Sequence, residues 1–233
     1  MQITPEISGV SIVLVGEFKP AIFTPAWFTL HGLLPEGTEE SAQLQVVHQQ
    51  LTAFSAEWLR LEVTPDRFLG ETLQAPHIRL RDFFVRVLRE HLHKSCLFAL
   101  GVNRNVHFQV RSVAARDRIG RTLAPVEPWG TWKDVLGLDG KHGGMTSLTM
   151  SQRRPEGRPE GGNINVKVEP SNRIGQEGRG VYVAVNDHYA GDESEFGSAG
   201  QLTGILDDNF ETSLERSEGI IDHIMSLGDT PEV

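Results

Sequence analysis

Two polar runs interrupt apolar, β-rich stretches. Asn103-Arg104-Asn105, with His107 just beyond, sits inside one, and Asn186-Asp187-His188-Tyr189 closes another. Amide, guanidinium and imidazole groups bind polar ligands, and neighbouring Asp187 and His188 would supply an acid/base pair. Asn103, Arg104, His107, Asp187 and His188 are therefore the candidate pocket. The bland alternatives are a solvated strand face for the first run and ordinary strand-exit residues for the second. Cys96 would need a histidine in reach to act as a nucleophile; at a strand start it reads as a small buried residue. His91 and His93 lie two apart on an expected helix, pointing about 200° apart, so they do not share a metal ion.

The strong local motifs are missing. There is no GxxxxGK[ST] phosphate loop, GxSxG elbow, HExxH helix or EF-hand loop. Gly175, Gly178 and Gly180 imitate a glycine fingerprint, yet they precede a strand, whereas a dinucleotide site needs a strand before and a helix after. They read as a turn. The single cysteine excludes an internal disulfide and a cysteine-based zinc site. No cofactor, metal or catalytic residue is expected, and the chain leans away from being an enzyme.

The elements that must position these residues follow from periodicity. Residues 10–18 read as a central strand, with Val10, Ile12 and Leu14 alternating. Thr24-Pro25 starts a short helix through Trp27, Phe28 and Leu30. Residues 44–54, 57–63 and 67–72 read as three strands. Residues 76–93 form the clearest helix, with Leu80, Phe83, Phe84, Val87, Leu88 and Leu92 in one stripe. Next come a long strand, 96–110, with Gly101 marking a bulge, a helix at 112–122 and a turn at 132–136. Trp129 and Trp132 are expected in the core. Strands follow at 145–152, 163–169 and 180–186, then an acidic loop at 190–201 and a helix at 203–227. The repeated RPEG of residues 153–162 reads as a polar hairpin tip.

Each half thus reads strand, helix, three strands, helix. The expected fold is α+β: a wide, curved antiparallel sheet from two pseudo-repeated βαβββα halves, residues 8–94 and 95–228, with the long helices on one face. Residues 1–228 are expected as a single domain and 229–233 as a loose tail. No run approaches the roughly 18 to 20 apolar residues of a membrane span, and the first twenty residues lack the basic start and apolar core of a secretory signal. With the free thiol, this points to a reducing cytoplasm and no membrane partner.

Charge is unevenly placed within a net −9. Residues 60–121 carry twelve bases and six acids, and residues 186–233 carry twelve acids and one base. Arg79, Arg81, Arg86 and Arg89 on one helix and Asp207, Asp208, Glu211, Glu215 and Glu218 on another are the candidate interaction residues. The two sets either meet each other, within the fold or across a homodimer, or bind an outside protein. Nucleic-acid binding through the Arg-rich 79–121 region is a weaker alternative, because the acidic segment competes with phosphate for the same guanidinium groups.

The run at 59–92 carries Pro65-Asp66-Arg67-Phe68 on a strand with an amphipathic helix shortly after. In this it resembles a sporadically distributed, functionally uncharacterised family of bacterial proteins of similar length, whose late strand pair and C-terminal helix match the order here. The resemblance implies a bacterial or phage setting, associated with defence or mobile elements, and supplies no catalytic residues. The leading expectation is a non-enzymatic protein-interaction module. The alternative is a small-molecule or acid/base pocket at Asn103, Arg104, His107 and His188.

Overall fold

Val10, Ile12 and Leu14 are fully buried on one side of the first strand, while Val13 and Val15 on the other side are not. That alternation sets the plan: one sheet face is covered by helices and the other is open. A computed structural model of the chain describes residues 4–136, 144–156, 162–175, 178–191 and 199–228. The strands are β1 (Ile7–Gly16), β2 (Gln43–Val47), β3 (Thr52–Ala56), β4 (Leu59–Val63), β5 (Arg67–Thr72), β6 (Leu97–Gln109), β7 (Leu148–Arg153), β8 (Asn163–Pro170) and β9 (Gly180–Ala190). The helices are α1 (Pro25–Leu30), α2 (Thr38–Ser41), α3 (Ile78–Glu90), α4 (Val113–Leu123) and α5 (Ala199–Ser226).

The nine strands form one curved antiparallel sheet in the order β2-β3-β4-β5-β1-β6-β9-β8-β7. β1 and β6 are the first strands of the two halves, and they pair at the centre, Ser11 opposite Asn103. The last strand of each half returns beside its first, β5 on β1 and β9 on β6. The fold is α+β, with the long helices α3 and α5 on one face, as the element order predicts.

Several elements differ from the sequence reading. The stretch 44–54 is two strands, β2 and β3, folded back through a tight turn in which His48 N–H donates to Leu51 O at 2.8 Å. That turn is built on Gln49-Gln50, without the Gly, Pro, Asn or Asp that advertise a reversal. The halves therefore hold five and four strands instead of four each. Gly101 is not a bulge; its register runs unbroken from Val13 to His188, and the irregularity falls at Val15/Gly16. β9 continues to Ala190, so Asp187 and His188 lie within a strand. Trp129 and Trp132 are exposed and pack edge-to-face on each other, outside the core. Cys96 is only partly buried. Most of the expected acidic loop, the whole second RPEG repeat and the C-terminal tail lie outside the described residues.

Two apolar clusters lie under the helices. One is rich in aromatics: Phe23, Phe28, Phe68, Phe83 and Phe84 pack against α1 and α3. Gly70 of β5 belongs here because a Cβ would strike the Phe84 ring. Thr24 caps α1 by accepting from Trp27 N–H at 3.2 Å. The other cluster is mostly aliphatic: Val106, Phe108, Val183 and Val185 of the sheet meet Ile119 of α4 and Ile221, Ile224 and Met225 of α5. Helix α5 spans both clusters.

Candidate functional site

β6 alternates. Leu100, Val102, Val106 and Phe108 point into the helix-covered side, and in that row Arg104 replaces an apolar residue at 4% exposure. Asn103, Asn105 and His107 therefore point to the open side. On β9 the same rule sends Asp187 and Tyr189 under the helices and Tyr182, Asn186 and His188 to the open side. The five residues expected as one pocket are split between the faces: Arg104 and Asp187 on one, Asn103, His107 and His188 on the other. Asp187 and His188 are not an acid/base pair, because successive strand residues face opposite ways.

The buried set forms a polar seam between the two apolar clusters. Arg104 Nε bonds Glu218 Oε1 at 2.7 Å, and its other nitrogens donate to Gly9 O at 3.0 Å and Ser8 Oγ at 2.9 Å. Asp187, 1% exposed, takes Arg216 at 2.6 Å and Tyr189 Oη at 3.3 Å. Tyr189 Oη also lies 2.6 Å from Ser213 Oγ. Buried charge is tolerated here because each group has a partner and further hydrogen bonds. The seam joins β6 and β9 to the middle of α5, so these residues act as structure.

Asn103 and His107 line a groove of about 560 Å³ on the open side, whereas His188 lies outside it, beside Asn163 and Ala190. The groove's floor is tied to the sheet beside it. Asn165 donates to Asn186, Asn186 to Asn103, and Asn103 to Ser11 O, one amide chain across four strands. Tyr182 Oη donates to Asn105 Oδ1 at 2.8 Å, and its ring stacks on His107 at 4.6 Å. Ser171 Oγ accepts from the backbone N–H of Arg173 and of Ile174, both at 3.1 Å. A hydroxyl has two lone pairs and one proton, so its proton goes to His107 Nδ1, 2.8 Å away. The network therefore assigns the proton of His107 to Nε2. Burial, then the Arg173 charge, hold this imidazole below its ordinary range and keep it neutral. Ser171 is a turn hydroxyl with both lone pairs occupied, which argues against its use as a nucleophile.

Arg60, Arg67 and Arg173 stand at the groove with Glu62, Glu71 and Glu169. Arg60 reaches Glu71 at 3.6 Å, and Glu169 pairs with Lys167 at 2.7 Å. The guanidinium groups of Arg67 and Arg173 make no hydrogen bond or ion pair among the described residues.

The candidate interaction residues are also divided. Arg79 lies 4.3 Å over the Trp58 ring. Arg81 and Arg89 pair with Asp207 at 3.3 and 2.7 Å, and Arg86 pairs with Glu90 and donates to Gly32 O. Glu218 belongs to the Arg104 seam, while Asp208, Glu211 and Glu215 sit exposed on α5. Among the described residues, no group of three His, Cys, Asp or Glu is placed to hold a metal ion, and no helix is long and apolar enough to cross a membrane.

Sequence reasoning named Asn105 in the polar run but left it out of the pocket, and it missed Asn165, Ser171, Arg173, Tyr182 and Arg216. Asn105, Asn165 and Tyr182 had a usable signal, polar residues in phase with Asn103 and His107 on paired strands; their alignment needed the register. Comparison with protein-family models and with curated protein sequences finds no match for this chain.

Proposed function

We propose that this chain is a protein-interaction module that grips an acidic segment of its partner in the groove on the open sheet face. The groove's fixed floor carries the reading. Its amides, Tyr182 and His107 are already tied to one another, so little side-chain freedom is lost when a partner docks. Arg67 and Arg173 at the rim, unpaired among the described residues, supply charge complementarity to carboxylates. The arginines of α3 support nucleic-acid binding less well, since each has a partner within the chain. The resemblance over residues 59–92 supports a bacterial or phage setting in defence or mobile elements, and the lone cysteine fits a reducing cytoplasm.

Affinity capture on the immobilised chain tests the reading, with wild type, Arg173→Glu, Asn105→Arg and Glu211→Lys compared quantitatively. The expected result is an acidic partner retained by wild type and Glu211→Lys and lost from the two groove variants. The same protein set on all four would overturn it. A small polar ligand in the same groove is the second reading, favoured by the fixed N–H of His107. A compound that stays bound through native mass spectrometry of wild type, and leaves in Asn105→Arg, would select it.

A further inference from the structure

We propose that two copies of this chain join edge to edge through β7, antiparallel about a twofold axis at Ser151, extending one sheet into the other. The argument starts from the hydrogen-bond phase of the edge. Arg154 N–H donates to Gly162 O, so residues 154 and 162 form a hydrogen-bonded pair between β7 and β8. Antiparallel strands alternate such pairs, and the register is unbroken from Leu148↔Val168 to Arg153↔Asn163. Leu148, Met150 and Gln152 therefore spend their backbone groups on β8. Thr149, Ser151 and Arg153 turn N–H and C=O outward, with no partner among the described residues.

That edge is complementary to itself. Pairing about Ser151 sets Ser151 opposite its own copy and Thr149 opposite the copy's Arg153. Every outward N–H then meets an outward C=O, and the two Arg153 side chains lie at opposite ends of the joint. The twofold axis stands perpendicular to the sheet, so both copies keep their helices on the same side. Met150, 64% exposed on the helix side, then lies diagonally across from the copy's Met150, within reach for a long side chain. Nothing on β7 guards the edge: it has no proline, no bulge and, before Arg153, no charge.

The opposite edge explains why the assembly would close at two. β2 is interrupted by a bulge between Leu44 and Val46, which twists the strand and breaks the row of free backbone groups. One straight edge and one bulged edge make a closed pair, where two straight edges would build an open filament. The joint leaves the groove of each copy uncovered, so it stands or falls independently of the partner reading above.

Light scattering of the full chain across a dilution series is the test. The expected result is a mass of two chains that falls to one on dilution. Ser151→Pro removes an outward N–H but no bond to β8, a place where an edge strand tolerates proline. It should raise the concentration for half-dissociation about tenfold or more and leave the circular dichroism unchanged. Ser151→Lys, which sets two cations face to face on the axis, should do the same without touching the backbone. Ser151→Cys in a Cys96→Ser background should give an oxidised species of two chains. A single-chain mass at the highest soluble concentration would overturn the proposal. So would a two-chain mass unaffected by both Ser151→Pro and Ser151→Lys in folded protein. Capture of an unrelated extended peptide on β7 by a chain that stays single would also overturn it in favour of strand addition by another partner.

Discussion

Asn103 and Arg104 are neighbours on β6, yet they belong to different regions. Arg104 lies under α5, where its guanidinium binds Glu218, Gly9 O and Ser8. Asn103 lies on the uncovered side, one link in an amide chain from Asn165 to Ser11. Polar groups on the covered side have lost water and depend on their partners for the fold. Those on the open side, apart from the buried His107, keep access to water, so their hydrogen bonds are worth less to stability and remain free to serve recognition. The same polar chemistry is structural on one face and available for binding on the other.

The sharpest way to break this contrast is Arg104→Ala. It removes the side-chain bonds to the Gly9 carbonyl and Ser8 hydroxyl and so separates the seam from β1. Glu218 is half-exposed and returns to water, which places the cost at the low end for a broken buried pair, about 3 kcal/mol. A denaturant midpoint within error of wild type would show that the seam is not structural. Asn103→Ala on the other face should cost about 1 kcal/mol or less, read in the same titration, while weakening capture of a groove partner. A loss equal to that of Arg104→Ala would erase the distinction between the faces.

The smallest effect concerns pH. Burial and Arg173 depress the His107 pKa in the folded chain. A group depressed on folding contributes its stability above its unfolded value, about 6.5 for imidazole, and loses it as pH falls toward the folded value. His77 and His91 are shifted the same way, both chiefly by burial. Stability should therefore decline below about pH 6.5, and His107→Gln should shallow that slope without abolishing it. Melting temperatures from pH 5 to 8 give the comparison; an unchanged slope would remove His107 from the set.

Much of the fold was legible. The stripe Leu80, Phe84, Val87 and Leu88 announced α3 and its buried face, because helical spacing brings those side chains together whatever lies beyond. The alternation Val10, Ile12, Leu14 announced a strand with one buried side. The β2–β3 turn escaped because Gln49-Gln50 carries no backbone preference for a reversal. Asn103, Arg104, His107, Asp187 and His188 were visible as polar residues out of place, but not their division between faces, which follows from strand phase once β9 runs on to Ala190.

By itself, then, the sequence determined which segments could be helix or strand and where polarity broke the apolar pattern, since both are local consequences of side-chain shape and spacing. It also determined the charge split, but not its use. The tertiary structure alone decided that Asp207 meets Arg81 and Arg89, that Arg104 meets Glu218 across more than a hundred residues, and that Ser11 and Val13 of β1, Asn103, Asn105 and His107 of β6 and Tyr182 of β9 line one groove. Such pairings depend on strand order and register, which are set by how all nine strands bury one face together, and no local spacing encodes that collective choice.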